Sequence, residues 1–106
     1  MSVLDKIDND PLTSSYFDNM GWHPEFDYTT STFIEKAYHR AFNVIDFPHK
    51  RKIKTDYFIH VTFHRGWLTI MHDTIFCQTV QDLEDGIVLL LNKHDCELYN
   101  KNEFVR

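Results

Sequence analysis

The stretch from Tyr57 to Met71, YFIHVTFHRGWLTIM, decides the fold of this chain. Apolar side chains recur at every second position on both sides of Arg65-Gly66, and this period of two is typical of half-buried β-strands. We therefore expect an antiparallel hairpin with Arg65 and Gly66 as its two loop residues. Arg-Gly is a poor pair for the type I′ turn of a two-residue loop, so a longer loop is the alternative.

A two-residue loop sorts the hairpin side chains onto two faces. One face is almost wholly apolar, and we expect it to point into the core. It consists of Ile59, Val61, Phe63, Leu68 and Ile70, with His72 opposite Ile59. The other face is mixed, and exposed Trp and Met beside hydrogen-bonding groups are typical of interface centres. The predicted partner-binding residues are therefore Phe58, His60, His64, Trp67 and Met71. Two alternatives stay open: a helix covers this second face as well, or a one-residue slip exchanges the faces of one strand.

The sequence on either side of the hairpin predicts three helices. Thr13 is a suitable N-cap for a short helix that Gly21 ends. Apolar residues at helical spacing predict a second helix over residues 32–45, with a strand over residues 38–47 as the alternative. A capping-box spacing that begins at Thr79 predicts an amphipathic helix near the C-terminus.

Together these elements predict an α+β fold. It has a short N-terminal helix, a second helix, a central antiparallel β-hairpin or three-stranded sheet, and a C-terminal amphipathic helix packed on one face. The third strand is expected between Ile75 and Thr79. The tail offers an edge strand through Leu98, Phe104 and Val105.

Length and composition indicate a globular chain. Its 106 residues suit one domain, which we expect over residues 12–106 after a flexible acidic N-terminus over residues 1–11. The first residues lack the basic start and apolar run of a signal peptide. The longest apolar run, Ile87 to Leu91, is too short to span a bilayer. We therefore expect a cytoplasmic protein with reduced cysteines and no membrane association.

The charge distribution bears on possible nucleic-acid partners. Sixteen acidic and eleven basic residues give a net charge of −5, which argues against a general binder of duplex DNA. One short run is nevertheless basic, and its candidate phosphate-binding residues are Lys50, Arg51, Lys52 and Lys54. They support an alternative function as a nucleic-acid-binding accessory protein. The simpler interpretation is a solvated connection whose lysines protect an edge strand from pairing.

The sequence contains no pattern typical of a catalytic or metal site. His60 and His64 lie four positions apart on a strand, about 13 Å from each other and too far for one ion. Cys77 lies in an apolar alternating run and Cys96 lies near His94, and both are expected to act as small hydrophobic side chains. The glycines are isolated and do not form a phosphate-binding loop. We expect no cofactor, no metal and no enzymatic activity.

Residues from both ends of the chain carry a resemblance to a known group of proteins. They are Leu12-Thr13, Tyr16-Phe17, Met20-Gly21-Trp22, Thr79-Val80, Leu83, Ile87 and Leu90, together with the hairpin between them. In this pattern the chain resembles small uncharacterised proteins of bacteriophages and mobile elements, which open with a short helix and close with a capped amphipathic helix. Those proteins end the first helix with an Asn-Gly-Phe-like step, where this chain has Met20-Gly21-Trp22.

The resemblance implies a function as well as a pattern. It implies a small non-enzymatic protein that binds a protein partner, as an inhibitor of a host nuclease or defence system of the anti-CRISPR or anti-restriction kind. The implied partner is a basic host nuclease or its nucleic-acid complex. A homodimer through an edge strand or through the mixed hairpin face is also compatible with the sequence.

Overall fold

The computed structural model describes residues 10–100 and 102–104. The expected flexible N-terminus, residues 1–11, therefore lies outside the described residues except for its last two positions. Strands account for 49% and helices for 21% of the described residues, so the fold is dominated by its sheet. The elements in chain order are α1 (Ser14–Asn19), β1 (His23–Thr29), β2 (Ile34–Asp46), β3 (Arg51–Thr62), β4 (Arg65–Ile70), β5 (Asp73–Cys77), α2 (Val80–Lys93) and β6 (Cys96–Leu98).

All six strands belong to one antiparallel sheet. The first five follow one another in space as they do in the chain, in the order β1-β2-β3-β4-β5. β1 pairs with the first half of β2, and β6 pairs with the last three residues of β2. Short hairpin loops join neighbouring strands, as is usual for antiparallel meanders.

The expected helix over residues 32–45 is wrong, and the predicted α+β arrangement of three helices around a small hairpin is wrong with it. The segment is strand β2, and Tyr38 and Phe42 on its inner face are buried. The Phe42 ring stacks on that of Tyr57 in β3, with 4.3 Å between the ring centroids. The pattern was ambiguous because apolar residues four positions apart share a face in a helix and in a strand. Pairing with β3 along nearly the whole length of β2 decided between the two.

The loop of the central hairpin also differs from the prediction. The turn is Phe63-His64, and both residues have positive φ angles of 50° and 65°, as a type I′ turn requires. Gly66 lies within β4 instead, where it is buried against Ile59. A Cβ added to Gly66 would lie 2.9 Å from the Ile59 side chain. Gly66 therefore permits close packing between strands and does not form the turn.

The new loop shifts the register without exchanging the faces. Ile59 pairs with Leu68 instead of His72, which displaces the register by four positions. Because four is an even number, the predicted apolar residues of β3 and β4 still share one face. Both Ile59 and Leu68 are buried, while Phe63 has left the apolar face for the turn.

Three further strand predictions need correction. The third strand is Asp73–Cys77, after a turn at Met71-His72, and not Ile75 to Thr79. The edge strand of the tail is Cys96–Leu98, whereas Phe104 lies in a turn and Val105 lies outside the described residues. Strand β1 was not predicted.

The two terminal helices agree with the prediction. The side chain of Thr13 accepts a hydrogen bond from a backbone N–H in the first turn of α1. At α2, Thr79 and Asp82 form the complete capping box. Gly86 brings α2 close to the sheet, because an added Cβ would lie 3.2 Å from the Ile75 side chain.

Both helices lie on the same face of the sheet. α2 contacts β4, β5 and β6, while Phe17 of α1 stacks on Tyr38 of β2 with 4.1 Å between the ring centroids. These elements bury one hydrophobic cluster that includes the inner faces of β2, β3 and β4. The opposite face, which we call the open face, is not covered by any element of residues 10–100 and 102–104. The alternative in which a helix also covers the mixed face of the hairpin is therefore wrong for these residues.

Candidate functional site

The open face carries a group of exposed aromatic side chains. Strand alternation directs them away from the core, and each is between 40% and 54% exposed. We call this group the aromatic patch. It consists of Phe26, Tyr28, Phe58, Trp67 and Phe76.

The centre of the open face is a row that crosses five strands. Residues paired directly across antiparallel strands lie on the same face, so the registers define the row. From β1 to β5 it consists of Phe26, Ala37, His60, Trp67 and Phe76. Neighbouring strands are about 4.8 Å apart, so the row extends over roughly 19 Å. This length matches the core of a protein interface better than a small-molecule site.

Two ring contacts hold parts of the patch in place. The rings of Trp67 and Phe76 are tilted, with 4.9 Å between their centroids. Phe58 is stacked on the imidazole of His39, with 4.8 Å between centroids. Such contacts limit the number of rotamers, which lowers the entropy cost of burying these rings against a partner.

Carboxylates surround the histidines of the open face. The His60 imidazole lies 2.8 Å from a carboxylate oxygen of Glu35. That of His39 lies 3.1 Å from Asp56 and 3.6 Å from Glu25, through its two different nitrogens. In the closer contacts the ring nitrogen must carry the hydrogen, because an ionised carboxylate only accepts. Around His39 and His60 the aromatic patch is thus bordered by oriented imidazoles and negative charge, whereas Arg65 borders it beside Trp67 and Phe76.

The structure brings together three of the five predicted partner-binding residues. Phe58, His60 and Trp67 are neighbours on the open face. His64 lies in the β3–β4 turn, where its ring nitrogen is 3.2 Å from a backbone carbonyl near α1. Met71 lies in the β4–β5 turn and is partly buried against the core. The expectation that all five share one face is therefore wrong for His64 and Met71, because both became turn residues.

Three members of the patch were missed. Phe26 and Tyr28 lie two positions apart in β1, and this alternation was a usable strand signal. Pro24 obscures this signal, because a proline within a run argues against a strand. Phe76 alternates with its neighbours in β5 and faces outward.

The basic run is divided between two faces of the sheet. Lys50 lies in the β2–β3 turn, and Arg51 lies 3.4 Å from the carboxylate of Asp46. Lys52 and Lys54 alternate with buried positions and point to the open face, at the end distant from the aromatic patch. Strand alternation therefore prevents the four cations from forming one continuous basic surface.

Neither cysteine has the environment of a nucleophile. Burial raises the pKa of the Cys77 thiol to about 12 and also raises the pKa of Cys96. A nucleophilic or metal-binding cysteine needs a lowered pKa. Within the described ranges, no group of three or more His, Cys, Asp or Glu side chains is arranged to hold a metal ion.

The helices give one further result. Neither helix within residues 10–100 and 102–104 has the length and apolar character needed to cross a membrane.

Comparisons of the chain with models of protein families, with curated proteins and with solved structures found no match. The resemblance to small proteins of bacteriophages and mobile elements therefore stays a prediction. Function is inferred below from the surface chemistry of the described residues.

Proposed function

We propose that this protein is a non-enzymatic interaction module that binds a protein partner through the aromatic patch on its open face. The observation that carries the proposal is the joint exposure of five aromatic side chains on one side of the sheet. Soluble monomers rarely expose large contiguous apolar surfaces unless these bind something. Burial of such rings against a partner is favourable because apolar area is removed from water.

The shape of the open face favours a protein over a small molecule. Small-molecule sites are concave and bury most of the ligand surface. Here a shallow depression of about 300 Å³ adjoins Trp67 on the open face. It is lined by Thr62, Phe63, Arg65, Trp67 and Phe76. A broad sheet face with one shallow depression suits a complementary protein surface into which Trp67 inserts.

The charges at the border of the patch favour a basic partner. Glu25, Glu35 and Asp56 lie close to the two histidines beside the patch, His39 and His60. Their carboxylates suit a partner whose apolar contact area is bordered by lysine or arginine. This agrees with the narrower sequence-based proposal, an inhibitor encoded by a phage or mobile element that binds a basic host nuclease or its nucleic-acid complex.

The test is affinity capture with matched variants, followed by titration of the purified partner. Trp67→Thr removes the largest ring of the patch. Phe47→Thr is the control, since Phe47 is similarly exposed (49%, against 54% for Trp67) but lies in the β2–β3 turn. A partner is accepted only if wild type and Phe47→Thr retain it and Trp67→Thr does not. We expect Trp67→Thr to weaken the purified complex by about 2 kcal/mol or more, roughly 30-fold. Equal affinity of the two variants, or no protein with this capture pattern, would contradict the proposal.

The nucleic-acid alternative is tested on the same proteins. A phosphate-binding protein loses affinity for labelled single-stranded DNA or RNA steeply as salt increases. Replacement of Lys52 and Lys54 with Glu would then weaken the binding of nucleic acid. Trp67→Thr would weaken it only if a base stacks on the Trp67 ring. Under our proposal, binding to either nucleic acid is weak and unaffected by the lysine replacements.

A further inference from the structure

A second surface, distinct from the open face, lies at the free edge of β5. We propose that this edge binds an extended segment of a partner protein by strand addition, and that the segment carries an apolar side chain flanked by lysine or arginine. β5 is the last strand in the sheet order, and among residues 10–100 and 102–104 it pairs only with β4. An unpaired edge is a template for a further strand.

The register identifies which backbone groups are available. The β4–β5 turn has two residues, Met71 and His72, with φ angles of 50° and 73°. In such a hairpin the residues next to the turn form a hydrogen-bonded pair, and bonded and non-bonded pairs then alternate. Thr74 and Phe76 are consequently in non-bonded pairs, so their N–H and C=O groups point away from β4. These groups form the hydrogen-bonding edge that a new strand would use.

The two edges of the meander differ in how well they are protected. β1 contains Pro24 and an irregularity in register between Pro24 and Phe26, and both features hinder pairing at an edge. β5 has neither a proline nor a register break, and its only charged residue is Asp73 at its first position. Strand addition is therefore favoured at β5 and not at β1.

A groove beside the edge provides room for the side chains of the added strand. It lies between β5 and α2, has a volume of about 620 Å³, and has Ile75, Val88 and Leu89 among its lining residues. Val88 and Leu89 are 43% and 58% exposed, which leaves apolar surface for a side chain of the ligand. A strand edge next to a helix groove combines backbone pairing with side-chain selection.

The charge of the groove selects the occupant. Asp82 and Asp85 both line it, and the hydrogen bonds recorded for their carboxylates come from uncharged donors. Lysine or arginine in the added strand would complement them. A second copy of this chain is a poorer occupant, because pairing two β5 edges about a two-fold axis would bring the same acidic helix residues of both copies together.

The experiment uses random peptides displayed on phage, selected on the full chain, followed by fluorescence anisotropy with the enriched peptides. We expect enriched sequences to combine apolar and basic residues. Thr74→Pro removes one outward N–H at a position where an edge strand tolerates proline, and Thr74→Val keeps that N–H. Thr74→Pro should weaken peptide binding about tenfold or more, while Thr74→Val should change it by less than about threefold.

A second pair of variants tests the charge. Asp85→Lys should weaken binding about tenfold, whereas Asp18→Lys, the same charge change on α1, should leave it unchanged. Thermal unfolding of each variant separates lost binding from lost structure. The proposal is overturned if no basic peptides are enriched, or if folded Thr74→Pro binds as well as Thr74→Val. It is also overturned if sedimentation shows a dimer that Thr74→Pro abolishes, because a second copy would then occupy the edge. Trp67→Thr removes a ring that contacts Phe76 but none of the backbone groups of this edge, so the two proposals fail separately.

Discussion

The exposure of the open face predicts that the same substitution at two adjacent residues of β4 will lower the stability by very different amounts. Trp67 points to the open face and is 54% exposed, whereas Leu68 points to the helices and is 0% exposed. Thr is accommodated well in strands, and the open face already carries Thr69 and Thr74 as a directly opposed pair. Trp67→Thr and Leu68→Thr therefore keep the strand propensity and differ in the face that they alter.

The expected magnitudes follow from the contacts of each side chain. Trp67 loses its tilted contact with Phe76, and an aromatic pair contributes about 0.5–1.5 kcal/mol. Leu68→Thr leaves a cavity in the core, where comparable truncations cost about 2–5 kcal/mol. It also buries a hydroxyl, which adds about 1–3 kcal/mol if the group is unpaired. We expect a loss of about 1 kcal/mol for Trp67→Thr and of at least about 3 kcal/mol for Leu68→Thr.

Urea denaturation measures both losses. Far-UV circular dichroism follows the secondary structure, and fluorescence of Trp22, which is buried, still reports on the core after Trp67 has been replaced. The Leu68→Thr substitution can leave the chain unfolded even without urea, because domains of this size are stable by only about 5–15 kcal/mol. That result would agree with a larger loss of stability for Leu68→Thr than for Trp67→Thr. If Trp67→Thr instead costs as much as Leu68→Thr, the open face is buried against something, and the reasoning from strand alternation to a free surface is refuted.

Four other predictions concern stability and thiol chemistry. Gly66→Ala should reduce the free energy of unfolding by about 1–3 kcal/mol, because the new Cβ would lie 2.9 Å from the Ile59 side chain and 3.0 Å from the His60 backbone oxygen. An unchanged urea midpoint would contradict this expectation. His72→Gly should raise the stability by about 0.5–1 kcal/mol, because His72 has a φ of 73° that glycine adopts without strain. A lower melting temperature would show that the histidine ring makes a stabilising contact. Tyr57→Phe should maintain or increase the stability, because the buried Tyr57 hydroxyl has no hydrogen-bond partner in the described part of the chain. A loss of stability above about 1 kcal/mol would show that the hydroxyl does form a hydrogen bond. At pH 8 the Cys77 thiol should be alkylated at least about tenfold more slowly in the native than in the unfolded protein, because it is fully buried and burial raises its pKa to about 12. Mass spectrometry measures both rates, and equal rates would exclude this environment.

The sequence predicted the faces of the central hairpin but not its loop. Period-two alternation in β3 and β4 identifies the buried row correctly, because alternation depends only on which face meets the core. The turn was assigned to Arg65-Gly66 because glycine is the usual residue at positive φ. In the structure, Phe63 and His64 adopt positive φ instead, and burial of the apolar row in register with β2 and β5 offsets that strain. A local turn preference was thus overridden by tertiary pairing.

The missing strands have a related cause. β2 buries its inner face against residues distant in the chain, so its short-range pattern does not differ from that of a helix. β1 has no buried residue, and its only local signal is the alternation of Phe26 and Tyr28. Capping residues, in contrast, act within one turn, and Thr13 and Thr79 therefore identified α1 and α2 from sequence alone. The residues of the candidate site show the same difference between signals that are local in sequence and contacts that depend on long-range pairing. Phe58, His60 and Trp67 come from one hairpin and were predicted together, whereas Phe26 joins them only through pairing across β2.

The one-sided arrangement of the helices explains why the proposed binding surface lies on the open face. α2 has 14 residues, so its axis is about 21 Å long, enough to cross β4 and β5 and reach β6 on a single face. α1 has only six residues and covers the neighbourhood of Tyr38 on that same face. A sheet with helices on one face usually carries polar residues on the other. Over β1 and β3 to β5 this open face carries aromatic rings instead, although each such ring lowers solubility and contributes little to the stability of the isolated chain. The energy that burying these rings would provide is thus not used in folding, and under our proposal it becomes available when a protein partner covers the open face.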